Sequence, residues 1–99
     1  MRVTFRQVGG FAPVFKGCEL DTETLSADKS ARLQALIEDS GIRNIEGRRT
    51  SGARDVHLYT LTVESSQGSH EVTFDDLSIP ASAKPLLAFL LDHSHDLLP

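Results

Sequence analysis

The feature that most constrains this chain is its hydrophobic periodicity, which changes between the strand period and the helix period along the sequence. A period of two places alternate side chains on one face of a strand, whereas a period of about 3.6 places an apolar stripe along a helix. The segments follow in the order strand, strand, helix, strand, strand, helix. This ββαββα pattern predicts an α+β fold, with a four-stranded antiparallel sheet and two helices packed on one face.

The first two strands are predicted to form a hairpin. Val3 and Phe5 alternate with polar residues in a strand that ends at Gly9-Gly10, and apolar alternation resumes after Pro13. Two consecutive glycines favour a turn or a close approach of the backbone. We therefore expect the two strands to pair across a loop from Gly9 to Pro13.

The first helix has signals at both of its ends. Ser26 is a candidate N-cap, and Gly41 is placed to end the helix in a left-handed conformation. Between them Leu33, Leu36 and Ile37 recur at helical spacing. The pattern predicts an amphipathic helix between Ser26 and Gly41.

The second pair of strands is predicted on either side of a polar turn at residues 65–69. Residues 56–63 form the clearest strand of the sequence, since β-branched and aromatic side chains dominate there, and residues 72–74 alternate in its partner. His57 and His70 are expected on these paired strands, where they can face one another as a polar cross-strand pair.

The second helix is unusually apolar. We expect Ser82 to cap it and Pro85 to lie in its first turn, where the missing N–H costs no hydrogen bond. Leucines and Phe89 fill the segment Leu86–Leu91. Such a helix must bury most of its surface, either against the sheet or partly against a partner protein.

Length and charge exclude several classes of function. The 99 residues suit a single domain, and a net charge of -4 with dispersed Lys and Arg argues against nucleic-acid binding. Residues 44–55 hold several arginines without periodicity, and we expect a solvated loop there. The first residues read as a strand and no apolar run approaches a membrane span. We therefore expect a cytoplasmic protein without a membrane partner.

No group of side chains makes a strong case for catalysis. Cys18 is the single cysteine, which excludes an internal disulfide, and a buried structural thiol is more typical than a nucleophile. His93 and His95, flanked by Asp92 and Asp96, point to different faces of a helix and favour a polar helix end over a metal site. The sequence predicts no enzyme activity, no cofactor and no metal, with a metal-dependent enzyme using these histidines as an alternative.

Apolar residues at the tip of the first hairpin point to binding of another protein. Residues 9–15 place Phe11 and Phe15 in or beside the loop, where both are hard to bury at once. We expect Phe15 to fold back under the sheet, whereas Phe11 can either do so or project outward. A projecting Phe11 favours a contact with a partner.

The order of these elements resembles the emfourin-type protein inhibitors of protealysin and related thermolysin-like zinc metallopeptidases. The resemblance rests on Gly9-Gly10-Phe11-Ala12 after the first strand, on the segments 59–63 and 72–76, and on Pro80 leading to 84–90. It covers nearly the whole chain, as a single emfourin-like domain over 1–99. Pro13 departs from it, because the family commonly has another glycine shortly after Gly-Gly-Phe-Ala.

The resemblance implies reversible inhibition of such a peptidase by obstruction of its active-site cleft, by a protein that is monomeric when free. We place the main contact in the loop formed by Gly9, Gly10, Phe11 and Ala12, because thermolysin-like enzymes favour a large apolar side chain just after the scissile bond. Asp75 and Asp76 form a second candidate contact, since a carboxylate can approach the zinc or an arginine of the cleft. The alternative is a non-inhibitory interaction module or small subunit that docks through the apolar C-terminal helix.

Overall fold

The computed structural model describes residues 1–9, 14–45 and 56–96, and every structural statement below concerns these residues. The five strands within them are β1 (Arg2–Gly9), β2 (Val14–Asp21), β3 (His57–Ser65), β4 (Gly68–Asp75) and β5 (His95–Asp96). The two α-helices are α1 (Ala27–Ser40) and α2 (Lys84–Asp92), and short 3₁₀ turns lie at Ile42–Asn44 and Ala81–Ala83.

The strands form one antiparallel sheet in the order β4-β3-β1-β2-β5. This confirms the α+β class, the four predicted strands and the two helices, but the prediction of a sheet with only four strands was wrong. Strand β5 pairs through His95 with Gly17 and through Asp96 with Lys16. Two residues are too short to show a hydrophobic period, so the sequence pattern could not predict this strand. It forms because the chain returns to the outer edge of β2 after α2.

The register of the sheet collects the apolar side chains on one face. Val3 lies opposite Leu20 and Val63, and Phe5 lies opposite Cys18 and Leu61. Because alternate side chains point to opposite faces, all of these enter the same core. Both helices contribute to this core, as predicted, with the buried residues Leu33, Ile37, Leu86, Leu87 and Leu90.

The ends of the helices agree with the sequence signals at three of four positions. Ser26 Oγ accepts a hydrogen bond from Lys29 N–H at 3.3 Å, and Gly41 ends α1 with φ 67. Pro85 lies in the first turn of α2, as predicted. The N-cap prediction for Ser82 was wrong: α2 begins at Lys84 without a side-chain cap, and Ser82 Oγ donates instead to the Ser40 carbonyl at 3.0 Å.

The apolar side chains of α2 are buried within this chain, where the helix packs against α1 and β2. Leu86, Leu87 and Leu90 are at most 4% exposed, while Phe89 and Leu91 pack partly against the same core. Burial of each such side chain stabilises the fold by roughly 1.5–3 kcal/mol. Neither described helix is both long and apolar enough to cross a membrane.

Candidate functional site

One end of the sheet brings Gly9, the first residue of one predicted contact segment, close to Asp75 and Asp76, which form the other. Gly9, the last residue of β1, pairs with His57, the first residue of β3. Beside them Leu58 pairs with Asp75, the last residue of β4. We name this the Gly9 end. From this end the chain continues after β1 into residues 10–13 and after β4 into the connection to α2.

The backbone at Gly9 requires glycine. Its φ of +90 is a conformation that other residues rarely adopt, and a Cβ there would lie 3.0 Å from the Val56 carbonyl oxygen. Gly10, Phe11 and Ala12 lie outside the described residues, so their assignment to a partner contact stays a prediction. Gly9 fixes the direction in which the chain leaves β1.

A network of hydrogen bonds joins Asp76 to the start of β3. Tyr59 Oη donates to Asp76 Oδ1 at 2.6 Å, the His57 N–H donates to Oδ2 at 2.7 Å, and His57 Nδ1 lies 3.1 Å from Oδ2. The side chains of His57 and Asp76 are 32% and 33% exposed. The carboxylate therefore has one side fixed within the protein and one side open to solvent.

The network sets the protonation of both of its acids. Burial raises the pKa of Asp76, but the hydrogen bonds from Tyr59 and His57 and the charge of His57 outweigh it, so the pKa is lowered overall. Burial, followed by the hydrogen bond and charge of Asp76, raises the pKa of Tyr59 well above its ordinary value. At neutral pH the carboxyl is ionised and the phenol is protonated.

Asp75 points the opposite way, as expected for adjacent residues on an extended chain. It is 1% exposed, and its Oδ1 accepts a hydrogen bond from the Leu77 N–H at 2.8 Å. Its own N–H donates to Ser78 Oγ at 3.0 Å, and the Ser78 N–H donates to its carbonyl at 3.2 Å. Asp75 thus holds a four-residue turn, and of the two carboxylates Asp76 alone has its side chain open to a partner.

Sequence patterns did not single out Leu77, which this turn projects into solvent. It is 69% exposed, and it is absent from the residues that pack on the core. An isolated leucine in a loop carries no periodicity, so the available signal was the turn chemistry of Asp75 and Ser78 around it.

Phe15 is also exposed, at 37%. The expectation that it folds under the sheet was wrong, because its register opposite Val8 places it on the face away from the helices. Val8 in turn lies opposite Leu58, and both are half-buried. Phe15, Val8 and Leu58 therefore form a short apolar row close to the Gly9 end. The row lies on the face of the sheet away from the helices, which we call the open face.

The other candidate groups have local structural partners. Cys18 is buried with its Sγ 3.5 Å from the Leu90 carbonyl, and burial raises its pKa despite a hydrogen bond with Ser94. His93 Nδ1 lies 2.8 Å from the Phe89 carbonyl. Across the described ranges, no three His, Cys, Asp or Glu side chains are placed to hold a metal ion.

The predicted pairing of the two strand histidines was wrong. His70 lies opposite Val63, and its Nε2 is 3.2 Å from the Ile45 carbonyl. His57 instead lies opposite Gly9 and contacts Asp76. The register explains why the histidines do not pair. Pairing of β3 with β4 begins at Ser65 and Gly68, and counting from this pair places Val63 opposite His70.

Comparison with models of protein families matches residues 5–91 to the family described as Emfourin. The match begins within β1, includes β2, α1, β3, β4 and nearly all of α2, and ends before β5. This family is known for metallopeptidase inhibitor domains. No curated protein and no solved structure matched the chain.

Proposed function

Because the chain belongs to the Emfourin family, we propose that it is a protein inhibitor of a thermolysin-like, protealysin-type zinc metallopeptidase and that it reversibly blocks the active-site cleft. The family match is the observation that carries this proposal. The geometry supports a location for the contact, because both predicted contact segments leave the sheet at the Gly9 end.

A contact at the Gly9 end has the physical properties that tight inhibition needs. Strands β1 and β2 pair along their full length, from Arg2 with Asp21 to Gly9 with Val14, so the loop between them is carried on a rigid hairpin. Binding by a segment with fixed ends loses less conformational entropy than binding by a free one. In the proposal Phe11 fills an apolar subsite of the cleft, and Gly9 and Gly10 allow close approach of the backbone.

Asp76 supplies the polar part of the same contact. Its carboxylate is ionised at neutral pH, is held by Tyr59 and His57, and remains a third exposed. A carboxylate fixed in this way can pair with an arginine of the cleft or approach the catalytic zinc. Asp75 is not available for this role while the turn is intact, since its side chain is buried.

The alternative function, docking of a partner on α2, has little surface to use. The leucines and Phe89 of this helix pack in or against the core of the chain itself, and its exposed residues are Lys84, Pro85, Ala88 and Asp92. We propose that the free protein is a monomer and is cytoplasmic. Sedimentation of the purified protein over a range of concentrations tests the first of these proposals.

Inhibition assays test the function and the loop separately. We expect the wild type to inhibit cleavage of a peptide substrate by thermolysin or protealysin, and Phe11→Ala and Gly10→Val to weaken inhibition by roughly 30-fold or more, as for the loss of a central contact. Circular dichroism establishes that both variants are folded. If the wild type inhibits neither enzyme, the proposed function is wrong; if both folded variants inhibit as well as the wild type, the loop is not the contact.

A further inference from the structure

Leu77 is an exposed apolar side chain on a backbone that is fixed by hydrogen bonds. Its side chain is 69% exposed, the largest value among the large apolar residues described. A single exposed leucine is common on protein surfaces and means little by itself. What sets Leu77 apart is the set of hydrogen bonds that fix the residues on both sides of it.

The turn around Leu77 is held from the inside of the protein. The buried Asp75 carboxylate accepts the Leu77 N–H, and the Ser78 hydroxyl accepts the Asp75 N–H. On the other side, Asp76 is bound to His57 and Tyr59. A carboxylate withdrawn from water thus holds a segment whose apolar tip packs on none of the core.

The position of Leu77 relates it to the proposed contact loop. The residue before it, Asp76, binds His57, and His57 pairs with Gly9, from which residues 10–13 continue. Leu77 and that loop therefore leave the same end of the sheet. A cleft that binds this end of the sheet can therefore take Leu77 and the proposed contact loop at neighbouring subsites.

We infer that Leu77 is a second apolar anchor of the inhibitor, which fills a hydrophobic subsite of the metallopeptidase cleft, and that Asp75 is the positioning residue that presents it. This inference rests on the proposed function. In this inference Asp75 does not contact the peptidase directly. Its buried carboxylate acts instead through the Leu77 N–H. Fixing the anchor before binding removes an ordering cost from the complex.

Titration of thermolysin with the wild type, Leu77→Ala and Leu77→Met tests the anchor. Loss of a fully buried leucine contact weakens binding by roughly 10- to 100-fold, whereas methionine retains the apolar volume and stays within about 3-fold. The melting temperature of Leu77→Ala is expected to stay within about 3 °C of the wild type, because the side chain is exposed in the free protein.

The positioning role of Asp75 is tested by coupling. Asp75→Asn keeps a side-chain oxygen that can accept from the Leu77 N–H, so it is expected to inhibit better than Asp75→Ala. If Asp75 acts through Leu77, replacing Leu77 by Ala in the Asp75→Ala background weakens inhibition less than it does in the wild type. Equal effects of Leu77→Ala in the two backgrounds would overturn the positioning role.

The outcomes separate this inference from the function on which it rests. A wild type that inhibits while Leu77→Ala inhibits equally well overturns the anchor and leaves the proposed function standing. A wild type that inhibits no thermolysin-like enzyme overturns both. If the Asp75 variants do not fold, the comparison of Leu77→Ala with Leu77→Met still decides the anchor.

Discussion

The two connections at the ends of β4 are held by different chemistry. At the end opposite Gly9, β3 and β4 are joined by Ser66 and Gln67 alone, directly after the pair Ser65 and Gly68, and these residues are exposed. At the Gly9 end a buried carboxylate and a hydrogen-bonded network hold the connection to α2, and an apolar side chain projects from it. The first arrangement is sufficient to connect two strands, and the second adds a buried carboxylate and an exposed leucine.

The Gly9 end also carries a buried polar atom without a partner in the described part of the chain. Gln7, two residues before Gly9, is 7% exposed, and its Oε1 has no hydrogen-bond partner among the described residues. A buried acceptor without a partner costs about 1–3 kcal/mol.

Removal of the buried carboxylate is expected to have the largest effect on stability. Asp75→Ala leaves the Leu77 N–H without its acceptor and opens a cavity, so the free energy of unfolding falls by roughly 2–3 kcal/mol. For a chain of this length the melting temperature then falls by about 10–20 °C. Thermal unfolding followed by circular dichroism measures the change.

Glu23→Ala is the matched control for this prediction, because it removes an exposed carboxylate near the other end of the sheet. We expect its stability to stay within about 0.5 kcal/mol of the wild type. An Asp75→Ala protein as stable as this control would show that the turn holds without the carboxylate, and the contrast between the two ends would then lose its main support.

A smaller effect is expected from Tyr59→Phe, which removes one hydrogen bond to Asp76. Because this carboxylate is partly exposed, we expect a loss of about 1 kcal/mol at pH 7. Thr62→Val is the control, since Thr62 also donates to a carboxylate, that of Glu71, but on the open face. Its expected change is below about 0.5 kcal/mol.

The pH dependence of the stability of Tyr59→Phe tests whether the lost stability comes from the ionised Asp76 carboxylate. The network lowers the pKa of Asp76 below its ordinary value of 3.8, so its contribution is complete above that pH and is lost as the pH falls through the lowered value. Tyr59→Phe moves the pKa back toward 3.8. The difference in unfolding free energy between wild type and variant should therefore shrink below about pH 4; a constant difference down to pH 2 would contradict this.

Local patterns were sufficient to predict the elements that carry their own signals. Alternation identified the four long strands, and Ser26 and Gly41 marked the ends of α1 because their capping bonds connect residues close in sequence. Ser82 failed as a cap because its hydroxyl binds the distant Ser40 carbonyl. Strand β5 was missed because its pairing depends on tertiary placement alone.

The candidate site was predictable as two segments but not as one place. Gly9 and Asp76 are distant in sequence, and their meeting through His57 follows from the strand order, which no local pattern contains. The opposite orientations of Asp75 and Asp76 were expected from extended geometry. The burial of Asp75 and the exposure of Leu77 were not, since both depend on how the chain leaves β4.

The smallest effect is expected from Gln67→Ala, which changes the turn at the end opposite Gly9. The Gln67 side chain is exposed, and the hydrogen bond to Ser65 Oγ comes from its backbone N–H, which alanine retains. Stability should stay within about 0.5 kcal/mol and inhibition of thermolysin within about 3-fold. An eight-residue strand such as β4 is about 25 Å long, so a contact limited to the Gly9 end leaves this turn in solvent. A marked loss of inhibition by folded Gln67→Ala would mean that the partner contacts both ends of the sheet, and the contrast between them would then reflect folding rather than binding.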